Sequence, residues 1–340
     1  MPISWENGYT ANYYVTIIDP STWKEGSSEQ IKITGGTINR TISDLRDSAD
    51  LNCVRYPYTE EKLIRVWLDV KQEGSTSHTP LFTGLAVSPS RNINGQVEDN
   101  TIQCYSVLKY AQDILLPRGW YAPKGIPVEG VIRELLAPTH ARVTIEPSEK
   151  NTLLQPLLAL ENENNLSMVD AILNAMKWRM VVQGDGNIFI GALDKRGVVD
   201  VFDSSMNDIL ETSINIDHDW YNCPNIFRAV SGNQVSIARD DSLSSPLSTV
   251  SRGREIWAEE TNCDLNDGES LPQYAVRRLK ELQTVATTAS YTRRYKPGIY
   301  PSDFIRLNYP AQKLQGKFVI KSHSITLGIN AKTSEEVATI

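Results

Sequence analysis

Adjacent acidic residues are the first candidates for chemistry in this sequence, and two pairs stand out, Glu60-Glu61 and Glu259-Glu260. A glycosidase needs two carboxylates that face each other about 5 to 10 Å apart across a cleft. Neighbouring residues on a strand point to opposite faces of a sheet, so neither pair supplies that arrangement. We interpret both pairs as solvated surface residues.

Two short motifs match chemical patterns only in part. Ser106 to Lys109, SVLK, has the SxxK spacing of serine acyl-enzymes, but no SDN or KTG motif follows it. Cys263 to Ser270, CDLNDGES, resembles a fragment of a calcium loop, yet it lacks the acid or amide at its fifth position and the terminal Glu. A chance match explains the first motif, and a turn that leads into a helix explains the second.

The histidines and cysteines lie too far apart in the sequence to indicate a metal site or a catalytic pair. No CxxC, HxH or HxxxH spacing occurs among Cys53, Cys104, Cys223, Cys263, His78, His140, His218 and His323. We predict four buried or partly buried thiols in a reducing compartment. Together with the missing phosphate loop and nucleophile elbow, this pattern predicts a protein that is not an enzyme, with no cofactor and no metal.

Composition excludes several classes of protein. The chain has 340 residues, 40% of them hydrophobic, which is enough for a folded core. Its formal net charge of −7 argues against a basic surface for specific nucleic-acid binding. No apolar run approaches the ~20 residues of a membrane span. The first residues, MPISWENGYTANYY, lack the pattern of a signal peptide, so we expect synthesis in a cytosol without export by this route.

The first part of the chain, 1–116, alternates apolar and polar residues in short runs typical of strands. Strands are predicted at Tyr13–Asp19 and Lys62–Lys71, the latter with a slip of phase near Arg65. Two more are predicted around an Asn94-Gly95 turn, and a Gly35-Gly36 pair breaks another. Many short strands separated by turns indicate a barrel or sandwich.

The middle part, 117–200, reads as a small α/β unit. Its first helix, VEGVIRELL, begins at Val128 and has an apolar stripe. A second helix is predicted to open at Ser167, with Asp170 as its capping-box partner. A hairpin over the turn Gln183 to Gly186 completes the unit.

The last part, 201–340, returns to strands with a helical excursion at about 238–290. A hairpin is predicted around Gly232-Asn233, followed by a polar tract from Asp240 to Glu255 that is expected to be a mobile loop or an excursion. A helix follows from Leu271 to Ala286, with Ser270 and Gln273 as its capping box. The chain ends on a meander, Tyr291 to Gly328, with turns predicted at Pro297-Gly298 and Gly316-Lys317.

Several stretches in a fixed order resemble the baseplate hub or tail-tip hub proteins of tailed bacteriophages and phage-derived contractile particles. The family includes the late control protein D type and the hub part of tail-associated lysins. The stretches are PLFTGLAVSPSRNINGQVEDNTIQCYSVLKYAQDILL, GWYAPKGIPVEGVIRELLAPT, NNLSMVDAILNAMKWRMVVQGDGNIFIGAL and YKPGIYPSDFIRLNYPAQKLQGKFVIKSHSITLG. The resemblance implies a mainly β (α+β) fold with two tail-tube-like antiparallel β-barrels, an α/β domain between them and a helical excursion in the second barrel.

The resemblance also implies a structural role in a virion tail. Three copies would form a homotrimeric ring that adapts a sixfold tail tube to a threefold spike and lets DNA or tape-measure protein pass. The expected partners are the tail tube or distal tail protein, the central spike and the tape-measure protein, with assembly in the host cytoplasm. Two alternatives stay open: a cell-wall hydrolase of the tail tip, and a carbohydrate-binding β-protein.

The predicted helix from Leu271 carries the candidate interface residues. Arg277, Arg278 and Lys280 make one side basic, which is unusual in so acidic a chain. One interpretation leaves this basic side in water while the apolar stripe Ala275, Leu279 and Leu282 packs on the chain's own second barrel. The other places the basic side at a subunit or tube interface, paired with acids of a neighbouring chain. Candidate acids are Glu259, Glu260 and Asp264.

Overall fold

The computed structural model describes residues 3–5, 7–26, 30–94, 97–149, 151–153, 155–193, 197–204, 214–218, 220–261, 263, 265, 269–283, 287–328 and 331–339. The fold is mainly β, as predicted, with 49% strand and 16% helix. The chain divides into two compact units. The first unit is Met1–Ile214 with Ser290–Val337, and the second is Asn215–Ala289 with Ala338–Ile340. No helix in the described residues is long and apolar enough to cross a membrane.

Six antiparallel strands form the first part of the first unit. They are β1 (Thr10–Ile18), β2 (Ile31–Thr41), β3 (Asp47–Cys53), β4 (Lys62–Gln72), β5 (Ser75–Asn94) and β6 (Val97–Ser106). They pair in the order β1-β4-β5-β6-β3-β2, and β2 also pairs with β1 through Tyr14 and Lys32, so the order returns to its start. Alternate residues point inward and form a buried core that includes Val15, Ile38, Leu51, Ile64, Val66, Leu68 and Ile102.

Irregularities in these strands occur where sequence features predict them. The predicted phase slip near Arg65 is a register shift of β4 against β5 between Val66 and Trp67. The predicted hairpin is present because Asn94 pairs with Val97, while Gly95 lies outside the described residues. Gly36 has φ +137°, and a Cβ there would lie 2.2 Å from the carbonyl oxygen of Asp50. Only glycine fits this position. The glycine pair therefore does not end the strand, and β2 runs through the predicted break.

A smaller α/β part follows in the first unit. Its elements are α1 (Lys109–Gln112), β7 (Tyr121–Ala122), α2 (Val128–Leu136), β8 (Val143–Ile145), β9 (Leu157–Leu158), α3 (Asn165–Met176), β10 (Trp178–Val182) and β11 (Ile188–Ala192). The next strand, β12 (Val198–Asp203), belongs to the large sheet. The strands β10, β11 and β8 form a sheet in that order, and β7 pairs with β9. Buried residues of α2 and α3, among them Ile132, Leu136, Val169 and Ile172, share one core with Ile188 and Ile190 of β11.

The start of α3 differs from the prediction that Ser167 opens this helix. Asn164 is the N-cap, and its side-chain oxygen accepts a hydrogen bond from the Ser167 backbone N–H at 2.8 Å. The Ser167 hydroxyl accepts a hydrogen bond from the Asn164 backbone N–H at 3.0 Å, so it holds the third helical position. The predicted capping partner Asp170 instead forms an ion pair with Arg46. Asn is as good a cap as Ser, and here it lies three residues earlier.

The second unit contains β13 (Asn215–His218), β14 (Ile226–Ser231), β15 (Gln234–Arg239), α4 (Thr249–Arg252), β16 (Trp257–Thr261) and α5 (Leu271–Leu282). The strands β15, β14 and β16 form a sheet in that order, with β14 and β15 as the predicted hairpin. The polar tract expected as a mobile loop carries a hydrogen-bonded turn and α4. Thr249 donates its backbone N–H to Asp240 at 2.9 Å, and Ser248 caps α4.

The final strands return to the first unit. They are β17 (Thr287–Arg294), β18 (Phe304–Tyr309), β19 (Leu314–Leu327) and β20 (Lys332–Thr339). The strand β19 pairs with both β18 and β2, and the sheet continues through β20 to β17. The turn expected at Gly316-Lys317 is wrong, because Gly316 lies inside β19 opposite Leu307. The turn occurs instead at Pro310–Gln312, which ends on Lys313 with φ +56°.

Candidate functional site

The predicted interface arginines of α5 form ion pairs within their own chain. Arg277 Nε lies 2.8 Å from Glu269 Oε1, and its Nη1 lies 2.8 Å from Glu281 Oε1. Arg278 Nε lies 3.0 Å from Glu260 Oε2, and its Nη1 lies 2.8 Å from Glu281 Oε2. Hydrogen bonds from Arg278 and then Arg277 hold the pKa of Glu281 below its usual value. The basic side of this helix is therefore largely neutralised by local acids.

The acids that we expected from a neighbouring chain have partners here. Glu260 also accepts a hydrogen bond from the Tyr274 hydroxyl at 2.7 Å, while Glu259 pairs with Arg228. The two glutamates thus point to opposite faces of β16, as their adjacency predicts. Asp264 lies outside the described residues. Lys280 is exposed on the helix surface.

The apolar stripe of α5 is buried within its own chain, as expected, but it packs on the separate small sheet of β15, β14 and β16, whereas we expected the second barrel. Ala275 and Leu279 are buried and Leu282 is partly buried against the sheet of β14 and β15. Gln273 Oε1 accepts hydrogen bonds from the backbone N–H and the hydroxyl of Ser270, at 2.9 and 2.8 Å, so the predicted capping box is present. The helix ends at Leu282, and Ala286 lies outside the described residues.

The remaining chemical candidates are surface groups or packed side chains. Glu60 pairs with Lys62 at 2.8 Å, and Lys109 Nζ lies 2.5 Å from Asp113. His78 pairs with Asp69 at 2.7 Å, while the side chain of His218 lies outside the described residues. All four cysteines are buried free thiols, as predicted. No group of three or more His, Cys, Asp or Glu with metal-binding geometry occurs among the residues described.

A buried charge network crosses the seam between β2 and β19. Arg40 and His323 are cross-strand partners, and Arg40 Nη1 lies 3.2 Å from His323 Nε2. The Arg40 guanidinium also donates to the carbonyl oxygen of Leu81 and lies 4.8 Å from the centre of the Tyr300 ring. Asp47 stands opposite Arg40 on the other neighbouring strand, β3. Arg40 of β2 therefore has neighbours on three other strands of the sheet, namely β19, β5 and β3.

The network continues to β17 and β20 through a fully buried ion pair. Arg293 Nη2 lies 2.5 Å from Glu335 Oε1, and the two side chains are 2% and 0% exposed. The Tyr291 hydroxyl donates to Glu335 Oε2 at 2.9 Å. His323 Nδ1 lies 3.9 Å from Glu335 Oε1. A buried pair of this kind selects one register between strands more than it adds stability.

Two groups of the network have strongly altered pKa values. Burial raises the pKa of Asp47 to about 7, although nearby Ser106 and Arg40 act in the opposite direction. Burial lowers the pKa of His323 well below its ordinary 6.5, and the charges of Arg40 and Arg293 lower it further. At neutral pH His323 is therefore uncharged.

A second buried ion pair connects the α/β part to the final meander. Arg179 on β10 has its Nη1 2.9 Å from Asp303 Oδ1, and the two side chains are 3% and 0% exposed. Asp303 Oδ2 also accepts a hydrogen bond from the Tyr300 backbone N–H at 2.9 Å. Asp303 thereby fixes the turn that follows Pro301 and leads into β18.

These buried charged residues were not predicted from the sequence. A signal was present, since Arg40 and His323 each lie two residues from a buried apolar side chain, Ile38 and Ile325. A charged residue in phase with an apolar strand face is a candidate for burial. The partner of such a charged residue can lie far away in the sequence, as His323 does from Arg40, and sequence spacing then does not predict the pair.

Comparison with known proteins identifies the fold. No family model matches the chain. No curated protein sequence matches it either. A tail protein from Neisseria meningitidis MC58 superposes with a TM-score of 0.69 at 14% identity, covering 98% of this chain and 97% of the other. A 43 kDa tail protein of prophage MuSo2 from Shewanella oneidensis gives 0.64 at 12% identity, covering 96% and 97%.

A third solved structure extends the same result. Prophage tail protein gp18 from Listeria monocytogenes EGD-e gives a TM-score of 0.57 at 12% identity, covering 97% of this chain and 94% of the other. All three matches span both the first-unit strands and the excursion, because each covers nearly the whole chain. The chain therefore has the fold of these tail proteins, which confirms the resemblance to phage tail proteins at the level of fold.

Proposed function

We propose that this chain is a structural hub at the baseplate or tip of a phage tail or phage-derived contractile tail. The observation that carries the proposal is the match to tail proteins over nearly the full length of both chains. A match to one barrel or one helix pair would be compatible with many functions, since folds are reused. A match over nearly the full length of both chains is much more restrictive.

The proposed assembly is a homotrimer that forms a ring. Each chain would contribute two tube-like β-barrels, from 1–116 and 201–340, with 117–200 as the α/β domain between them. Three chains would then offer six similar barrels to a sixfold tail tube and three equivalent faces to a spike. The closed pairing of β1 to β6 supports the first barrel, and the pairings of β12, β18, β19, β20 and β17 support the second.

The proposed partners follow from that position in the tail. They are the tail tube or distal tail protein on one side, the central spike on the other, and tape-measure protein in the channel. DNA would pass without specific binding, which suits a chain of net charge −7 because a lysine-rich channel wall would retain phosphates. The protein would be assembled in the host cytoplasm and end in the virion tail.

The exposed side of α5 remains our candidate for a subunit or tube contact. Arg277 and Arg278 would act as parts of a neutral, mixed-charge surface together with Glu269 and Glu281, and Lys280 would add a positive charge beside them. Mixed-charge surfaces fix partner and register more than they add affinity. This role is independent of the apolar stripe, which holds the helix to its own sheet.

Cryo-electron microscopy of the native particle tests the proposed function. The expected result is three copies of the chain in one ring at the end of the tail tube. A particle with one or six copies at that level would contradict it. Hydrolysis of peptidoglycan by the pure chain, abolished by one acidic or His substitution, would favour the hydrolase alternative. Binding to isolated cell-wall glycans without assembly would favour the carbohydrate-binding alternative.

A further inference from the structure

A cleft in the first unit has the chemistry of an anion site. It has a volume of about 200 Å³, far more than one water molecule requires. Its walls are formed by the N-terminal segment, by β12, and by the end of β17 with the residues that follow. The lining residues are Ile3, Ser4, Trp5, Phe202, Arg293, Arg294, Tyr295 and Lys296.

The cleft holds one positive charge more than its acids neutralise. Arg293 is balanced by Glu335 at 2.5 Å, and Lys296 is balanced by Asp200 at 2.7 Å. Arg294 forms no ion pair with any acid among the described residues. Its Nε is buried and has no hydrogen-bond partner in the part of the chain that the structure describes. Among the cations that line the cleft, Arg294 is thus the one whose charge is available to an acidic ligand.

The walls of the cleft are held in place by specific contacts. Gln72 Oε1 accepts a hydrogen bond from the Ser4 backbone N–H at 2.7 Å, and Gln72 Nε2 donates to the Ser4 carbonyl oxygen at 3.0 Å. The Trp5 ring meets the Tyr295 ring edge to face, with 5.7 Å between centres. Arg293 Nη1 donates to the carbonyl oxygen of Arg294 at 2.8 Å. The N-terminal wall of the cleft and the backbone at Arg294 are thus held by specific contacts.

We propose that this cleft binds an acidic peptide segment of a partner protein, with one carboxylate on Arg294 beside the Trp5 ring. A guanidinium presents two parallel N–H donors that match a carboxylate. The indole and phenol rings offer apolar contact area beside it, as is common where proteins bind peptides.

The shape and charge of the cleft favour peptide over nucleic acid. Nucleic-acid binding without sequence preference draws its affinity from several cations that track a phosphate backbone. Here two of three cations already have acids, and the chain as a whole carries −7. A single available guanidinium next to apolar walls suits one carboxylate in an otherwise uncharged contact.

Peptide binding to the isolated protein tests the inference. The probe is capped tetraglutamate, with capped tetraglutamine as the uncharged control and an oligothymidylate as the phosphate control. The readout is the indole N–H resonance of Trp5, assigned with a Trp5→Phe variant. We expect tetraglutamate to shift this resonance, and Arg294→Gln to weaken its binding about tenfold or more, because a charge-assisted hydrogen bond is lost.

Arg306→Gln is the matched control, because Arg306 is an exposed arginine of the neighbouring strand β18. It should bind tetraglutamate as the parent protein does. If Arg294→Gln does not fold, Arg294→Lys replaces it, and the expected result is weaker binding that is still charge-dependent. Absence of a shift with the parent protein, equal affinity of the two Gln variants, or tighter binding of oligothymidylate would each overturn the inference. The test does not depend on tail assembly, so it can fail while the proposed function holds.

Discussion

Arg40 and His323 face each other directly across the junction of β2 and β19, with Arg40 Nη1 3.2 Å from His323 Nε2. Asp47 stands opposite Arg40 on the other side. The junction connects the closed group of the first six strands to the final strands. A wrong register there would leave a buried guanidinium without its partners, and that cost makes the observed register specific.

Asp47 should make the protein less stable as the pH rises. Its pKa is raised by burial from 3.8 to about 7, so the folded state keeps its proton at a pH where the unfolded chain has lost it. Stability from this group is complete below about pH 4 and is lost between about pH 4 and 7. At 1.36 kcal/mol per pKa unit the loss reaches a few kcal/mol, about 4 at most.

Urea unfolding of Asp47→Asn at about pH 5 and pH 8 measures this effect. The variant mimics the protonated carboxyl, so it should be more stable than the parent at the higher pH and by a clearly smaller margin at the lower. Asp50→Asn, an exposed residue of the same strand, is the control and should leave the pH dependence unchanged. Equal pH slopes for parent and Asp47→Asn would contradict the prediction.

His323 should make the protein less stable as the pH falls, which is the opposite of the effect of Asp47. Burial first, and then Arg40 and Arg293, hold its pKa well below 6.5. Below about pH 6.5 this histidine binds a proton in the unfolded chain but stays neutral in the folded one. The free energy of unfolding therefore falls as the pH falls through that range. We expect His323→Gln in an Asp47→Asn background to remove this acid sensitivity. A double variant that loses stability toward acid as steeply as Asp47→Asn alone would show that His323 is not the group responsible.

The Arg179–Asp303 pair should be costly to break. Both side chains are buried, so Asp303→Asn leaves the Arg179 charge without its counter-charge. We expect a loss of about 3 to 5 kcal/mol in the free energy of unfolding. Asp113→Asn is the matched control, because its pair with Lys109 is exposed and worth at most about 1 kcal/mol. Similar losses in both variants would mean that water reaches the Arg179 site.

Alternation of side chains made most strands and helices predictable from the sequence. The run Lys62 to Lys71 and the hairpin over Gln183 to Gly186 both form as expected, because each pattern is local and its apolar face is unambiguous. The strand β3 was not predicted, since Asp47 occupies one of its inward positions and weakens the apolar alternation. The turn predicted at Gly316-Lys317 does not form, because Gly316 adopts φ +142° within a continuous strand.

The partners of charged residues could not be predicted in the same way. One of the two interpretations paired Arg277 and Arg278 with acids of another chain. In this structure Glu260, Glu269 and Glu281 of the same chain surround them. Glu281 lies within one turn of the helix and was visible in the sequence as an i,i+4 partner. The contact with Glu260 depends on how α5 lies on β16, which no sequence spacing fixes.

Gly184 should tolerate no side chain. A Cβ there would lie 2.0 Å from the carbonyl oxygen of Pro80, which is a backbone atom of β5 and cannot turn aside. We expect Gly184→Ala to destabilise the first unit by about 1 to 3 kcal/mol, as overpacking does. Gly130→Ala, in the open middle of α2, meets nothing within 4 Å and should be neutral or stabilising by up to about 1 kcal/mol. Thermal unfolding of the two variants checks the difference, and an unaffected Gly184→Ala would show that the turn can move away from β5.

The interface role proposed for α5 is best tested by neutralising charges. Reversing Arg277 and Arg278 to Glu would place them against Glu260, Glu269 and Glu281, so failed assembly could simply reflect repulsion inside the chain.

The double variant Arg277→Gln with Arg278→Gln avoids this problem, because partly exposed pairs are worth only about 0.2 to 1 kcal/mol each and the apolar stripe still holds the helix. We expect this variant to fold, with an unchanged circular dichroism spectrum, but to be absent from purified particles. Arg239→Gln, whose surface pairs with Asp241 and Glu255 involve no residue of α5, should enter particles normally. Incorporation of the double variant at the parent level would show that α5 only packs against its own sheet. If neither the double variant nor Arg239→Gln entered particles, assembly would depend on the surface charge of the second unit in general and not on α5 in particular.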